Sequence, residues 1–209
     1  MGDIKSKFFI NSIFRSIQGE GFNQGKEAVF IRFSGCNLWS GLEKDRFYKK
    51  HSCANWCDTD FKEGSWKTIS EIVNIVKELS KSPSLIVLTG GEPMLQITQS
   101  FIDFLKNIFS ETLVCIETNG TIDKNLKNCW TTVSPKEGSV LRLKKGNELK
   151  FVYPQSINLE DFLDLDFDYF IIQPKYENVI NYQPLINLVF ANNKKLIIRP
   201  QLHKILEME

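Results

Sequence analysis

The sequence contains no apolar run of membrane-spanning length, which excludes a helical span within it. Its start, Met1-Gly2-Asp3-Ile4-Lys5, lacks the apolar core of a signal peptide, and Gly2 alone does not mark a myristoylation site. Neither sign of charge is in excess: 26 Lys and Arg stand against 25 Asp and Glu, so no basic field points to nucleic acid. Cysteine is scarce and odd in number, five in all, which argues against a disulfide framework and for a reducing, cytoplasmic setting. No internal repeat, low-complexity tract or Pro/Gly-rich linker divides the chain. With 209 residues, 42% of them hydrophobic, the expectation is one soluble α/β domain spanning 1–209. The Lys-rich stretches 44–50 and 142–150 are expected to be solvated surface.

What is present concentrates in the middle of the chain. Cys36, Cys53 and Cys57 lie in a polar segment from Gly35 to about Gly64, whereas Cys115 and Cys129 sit in apolar surroundings and suit a core. A loop of that length is uncommon in a compact domain unless something orders it, and a metal centre would do so. Three thiolates can hold a four-iron cluster and leave one iron open to a reactant. The same residues could instead form a structural zinc site completed by His51, or three unpaired thiols.

Hydrophobic period and turn chemistry predict strands over 8–17, 28–33, 85–88, 113–116, 130–133, 149–152, 169–172 and 196–198. Thr68 and Glu71 have capping-box spacing before an apolar stripe of Ile69, Ile72, Val73, Val76 and Leu79, which predicts a helix. A second stripe comprises Ile97, Phe101, Phe104, Leu105 and Ile108, and helices are further expected near 158–163 and 182–191. Such alternation predicts a mainly parallel sheet with crossover helices. Polar signatures follow the strands: Thr89-Gly90-Gly91-Glu92-Pro93, Glu117-Thr118-Asn119-Gly120, Ser134-Pro135-Lys136, Gln173-Pro174-Lys175 and Arg199-Pro200-Gln201. Barrel-like α/β folds place their chemistry at the carboxyl ends of parallel strands.

These features together resemble the radical S-adenosylmethionine (SAM) superfamily, and within it the 7-carboxy-7-deazaguanine synthase family, over essentially the whole length. The most specific segments are Gln18-Gly19-Glu20-Gly21, Arg32-Phe33, Gly35-Cys36-Asn37-Leu38-Trp39-Ser40-Gly41, Cys57-Asp58-Thr59-Asp60-Phe61, the stretches 89–95 and 145–150, and Gln201 with His203-Lys204. The resemblance implies a partial, open TIM-like barrel, a radical SAM core with an irregular cluster-binding loop. One departure stands out. The subfamily commonly separates its cysteines by fourteen and two residues, whereas here sixteen separate Cys36 from Cys53 and three separate Cys53 from Cys57. Ala54 occupies the usual middle position, so Cys53 is taken as the middle ligand.

The implied reaction converts 6-carboxy-5,6,7,8-tetrahydropterin to 7-carboxy-7-deazaguanine and ammonia. In such families SAM binds the open iron and yields a 5′-deoxyadenosyl radical, which takes a hydrogen atom from C6 and is later regenerated. The implied cofactors are one 4Fe–4S cluster on Cys36, Cys53 and Cys57, SAM, and Mg²⁺ at Thr59. SAM would meet Gly91, Glu92, Glu117, Asn119, Ser134, Pro135, Lys136, Gln173, Pro174, Lys175 and Tyr176. Substrate would meet Ile17, Gln18, Gly19, Glu20, Arg32, Thr89 and His203, with the carboxylate of Glu209 reaching back to the pterin. The implied partners are a flavodoxin or ferredoxin-type electron donor and a second copy in a homodimer, with no nucleic acid and no membrane. Two other readings remain: a glycyl-radical-activating enzyme, and a zinc-stabilised module without catalysis.

Overall fold

The structure is a computed structural model that describes residues 7–46, 52–176, 182–192 and 196–208. Nine strands form one open sheet: β1 (Lys7–Ile17), β2 (Glu27–Phe33), β3 (Ser65–Thr68), β4 (Leu85–Gly90), β5 (Leu113–Thr118), β6 (Trp130–Val133), β7 (Lys145–Tyr153), β8 (Asp166–Pro174) and β9 (Leu196–Ile198). Their order is β3-β1-β2-β4-β5-β6-β7-β8-β9. The pairings from β2 through β4 to β9 are all parallel, while β1 pairs antiparallel with both β2 and β3. The expected open, mainly parallel sheet is therefore what forms.

Strand alternation sorts the residues onto two faces. On β2, Val29, Ile31 and Phe33 join the main core, while Ala28 and Phe30 belong to a smaller cluster with Leu85, Val87 and Cys115. The main core lies between the sheet and helices α1 (Ile69–Leu79) and α2 (Gln99–Ile108), which bury Ile72, Val73 and Val76, and Phe101, Ile102 and Leu105. Helix α1 begins with the expected capping box: the Glu71 amide donates to the Thr68 hydroxyl, and the Thr68 amide donates back to the Glu71 carboxylate. Two further helices are α3 (Gln183–Ala191) and α4 (Leu202–Ile205).

Several sequence expectations change. The region near 158–163 forms only a 3-10 turn, Leu159–Phe162, and no crossover helix joins β5 to β6 or β6 to β7. Ile122, Leu126 and Leu141 from those irregular connections pack on the core in place of a helix. Strand β3 and helix α4 were not foreseen; both are four residues long and bury no residue. The stretch 142–150 is not uniformly solvated, because its second half enters β7, where Glu148 is 1% and Lys150 5% exposed. Residues 47–50 lie outside the described residues; of the rest of the stretch 44–50, Lys44 is exposed, whereas Asp45 and Arg46 are half-buried, Arg46 lying over the Trp39 ring.

Candidate active site

The carboxyl ends of the parallel strands surround one cavity of ≈ 700 Å³. The turn after β4 is built by close backbone approach. Gly90 has φ +126°, and the Gly91 and Glu92 amides donate to the carbonyls of Phe33 and Gly35 at 3.1 and 2.9 Å. A Cβ on Gly91 would collide with the Gly35 carbonyl oxygen and crowd Cβ of Cys36. Glycine is thus needed for the turn to lie against the segment that delivers the first cysteine. Gln96 completes the knot, accepting from the Phe9 amide at 2.8 Å and donating to the Ser34 carbonyl at 3.0 Å.

Cys36, Cys53 and Cys57 all line the cavity and all are free thiols. Residues Ser52–Asn55 form a 3-10 turn, and it absorbs the unusual spacing. Cys53 reaches the cavity wall, while Ala54 is fully buried in a cluster with Trp39 and Phe61. Burial pushes the Cys53 thiol up to about 11 against the pull of Lys136, and burial likewise raises Cys36. Ligation therefore has to supply the driving force for deprotonation. Among the described residues no three of His, Cys, Asp and Glu converge tightly enough to hold a single metal ion. Three free thiols on one cavity are the soft donor set that an iron–sulfur cluster takes. His51, the fourth donor of the zinc alternative, lies outside the described residues.

On the cavity wall between the cysteines and β8 stand Gly91, Asn119, Ser134, Lys136, Gln173, Lys175 and Tyr176. Lys136 donates to Ser134 Oγ at 2.6 Å, and its ammonium and that of Lys175 lie 5.3 and 4.7 Å from the ring of Trp56. Burial, followed by the charge on Lys150, lowers the basicity of Lys136. Gln173 is 3% exposed, and its carbonyl oxygen has no partner among the described residues. Glu92, Pro135 and Pro174 are buried and stand back from the wall. Glu92 instead braces it: one oxygen accepts from Met94 N and Thr118 Oγ1 at 2.9 and 2.7 Å, the other from Asn119 N at 2.8 Å.

The remaining wall carries Ile17, Gln18, Gly19, Glu20, Arg32, Thr59, Thr89 and His203. A Cβ on Gly19 would collide with the His203 ring, so glycine lets α4 close over the β1–β2 turn, where Leu202 N also donates to Gly19 O at 2.8 Å. Burial depresses the basicity of His203. The guanidinium carbon of Arg32 lies 5.0 Å from the ring centroid of Phe14, which stacks on Phe30 at 5.1 Å. Beside Thr59, Asp58 pairs with Lys204 at 2.9 Å and Asp60 accepts from the Lys62 amide. Glu209 lies outside the described residues.

Lys150 also lines the cavity, a site residue that the sequence reading places on the surface. Its ammonium is 2.5 Å from Glu20 Oε2 and 2.8 Å from Glu117 Oε2. Burial opposes ionisation of Glu20, but the charge of Lys150, with a 2.9 Å bond from Gln201, outweighs it and holds the group at about 2. Glu117 has the weaker support of Gln18 at 3.4 Å, and burial pushes it up to about 7 despite Lys150. The readable signal was the i, i+2 pair Glu148 and Lys150 alternating with Leu149 and Phe151, a strand with one polar, enclosed face.

An open parallel barrel with three free thiols and a glycine turn at the carboxyl ends of its strands is the arrangement of the radical SAM enzymes. The chain is 41% identical over 177 residues to a 7-carboxy-7-deazaguanine synthase from Burkholderia multivorans, covering 80% of this chain and 82% of the relative. It is 32% identical to one from Buchnera aphidicola, covering 95% and 98%. The crystal structure of QueE from Escherichia coli shares the fold, with a TM-score of 0.69 and 23% identity over 92% of this chain and 93% of that one. No family model matches the chain. The chain belongs to the 7-carboxy-7-deazaguanine synthase family. Among the described residues no helix is long and apolar enough to cross a membrane.

Proposed function

We propose that this cavity converts 6-carboxy-5,6,7,8-tetrahydropterin to 7-carboxy-7-deazaguanine with loss of ammonia, in one radical SAM domain spanning 1–209. The observation that carries this reading is the meeting, around one cavity, of three free thiols with the acidic and basic groups Glu20, Arg32, Glu117 and Lys136. Cys36, Cys53 and Cys57 would hold a 4Fe–4S cluster, with SAM beside it against Gly91, Asn119, Ser134, Lys136, Gln173, Lys175 and Tyr176. When bound, cluster and SAM supply the one-electron chemistry that removes a hydrogen atom from the substrate and opens the route to ring contraction.

The chain's own residues bind, orient and shield. Arg32 is suited to grip the substrate carboxylate in its fork, with its plane set by Phe14. Glu20, ionised at neutral pH, accepts from the donor-rich edge of the pterin, and Gln18 and His203 flank it. Thr59 offers a hydroxyl to Mg²⁺, whose other positions would be filled by substrate and water. Glu92 acts from behind the wall, keeping the Gly91 turn and the end of β5 in register. Phe14, Phe30, Leu38 and Trp39 line the rest and exclude water from a radical.

The reading extends to a reducing cytoplasm, a flavodoxin or ferredoxin-type donor and a homodimer. The five free cysteines support the first of these. The test is anaerobic incubation of cluster-reconstituted protein with SAM, reductant, Mg²⁺ and the carboxypterin. The expected result is a deazaguanine product and one ammonia released per turnover. Intact clusters that consume SAM but leave the pterin unchanged would contradict the reading.

A further inference from the structure

Lys150 is the most enclosed charged group on the cavity wall, its side chain 6% exposed, against 22% for Glu20 and 17% for Glu117. Two carboxylates placed together away from water repel, and one of them would ordinarily take up a proton. A single ammonium between them eases that conflict, and two of its three N–H donors are spent on Glu20 and Glu117. Glu148, two residues back on the same face of β7, is a third acid near Lys150. Its Oε2 accepts instead from the Phe22 amide, Trp130 Nε1 and Thr132 Oγ1. Lys136 and His203 are the next titratable groups within electrostatic reach.

The partners of each oxygen are also set. Glu20 gives Oε2 to Lys150 and Oε1 to Gln201; Glu117 gives Oε2 to Lys150 and Oε1 to Gln18. A carboxylate has about four lone-pair sites, so each keeps capacity for a further donor. The carboxylates are the more exposed members of the trio, and the ammonium is the hidden one.

We propose that Lys150 is a positioning residue for substrate, holding Glu20 and Glu117 side by side so that both accept from the N–H edge of a planar heterocycle that Lys150 itself does not touch. This rests on the pterin reading above, and it moves Glu117 from the SAM side of the cavity to the substrate side.

The test uses cluster-loaded protein with SAM and Mg²⁺ and reads the fluorescence of 6-carboxypterin, the oxidised form of the substrate, on binding. Lys150→Met is expected to weaken probe binding by about tenfold or more, and Glu117→Gln by roughly fivefold, with SAM affinity held within about twofold. Because Lys150 acts through the carboxylates, the double variant should bind no worse than the weaker single variant. Wild-type binding by Lys150→Met, or losses that multiply in the double variant, would overturn the proposal. If Lys150→Met fails to fold, the double variant is compared with Glu117→Gln, since it leaves one fewer unpaired buried carboxylate. A further loss of about twofold, the part Lys150 carries through Glu20, then supports the positioning role, and no further loss, or one of about tenfold, overturns it. Failure of the wild-type protein to bind the probe would instead count against the pterin reading itself.

Discussion

Cys53 and Ala54 are neighbours in sequence with different exposure to the site: Cys53 lines the active-site cavity, and Ala54 is fully buried behind it in the Trp39 and Phe61 cluster on which Cys36 and Cys57 pack. A 3-10 turn at Ser52–Asn55 makes this possible, and it converts an unusual spacing into a usable thiol. Cys53→Ala should therefore lose its cluster and all turnover. Moving the thiol to the family's usual position, in the variant Cys53→Ala/Ala54→Cys, should not restore iron content, because position 54, unlike position 53, does not line the cavity. Recovery of iron and sulfide in the swapped variant would show that the turn does not fix the ligand.

Gly91 lies against the backbone that delivers Cys36, with no room for a methyl group. Gly91→Ala should cost roughly 2–4 kcal/mol through overpacking against a main-chain oxygen. Urea unfolding of the purified variant measures it. A change under about 0.5 kcal/mol would mean that the turn yields easily.

The two acids that share Lys150 should give opposite pH signatures. Glu117 is raised to about 7, so its contribution to stability is complete below the ordinary carboxylate range and is lost as pH rises through 7. Glu20 is lowered to about 2, so its contribution is complete above the ordinary range and is lost as pH falls toward 2. Glu117→Gln should gain on wild type by up to about 3 kcal/mol between pH values of about 5 and 8. A difference that does not vary with pH would show that Glu117 titrates normally.

Thr68→Ala offers a control remote from the cavity. It removes the hydroxyl that caps α1 and should cost about 1 kcal/mol. Turnover per folded molecule should stay at the wild-type level. A fall in turnover beyond the loss of folded protein would mean that α1 communicates with the site.

Much of this was legible in the chain because it was written in repeating patterns. The capping box at Thr68 and Glu71, the stripes of α1 and α2, and the polar signatures after β4, β5, β6 and β8 all appear where period and turn chemistry put them. Edge strand β3 was missed because four largely solvated residues, Ser65–Thr68, carry no burial alternation. Lys150 was read as surface because a lysine in a charged stretch usually is; only its pairing across the sheet with Glu117 and Glu20, 33 and 130 residues away, makes it buried. Glu92 is expected on the wall and stands behind it, where its carboxylate accepts from two backbone amides and Thr118.

The most direct measurement is low-temperature electron paramagnetic resonance of the reduced, reconstituted protein, recorded with and without SAM. Three cysteine ligands from this chain predict the signal of a four-iron cluster that shifts when SAM occupies its open corner, and the disappearance of that signal in Cys53→Ala. A spectrum unchanged by SAM, or an unaltered cluster in Cys53→Ala, would contradict the account.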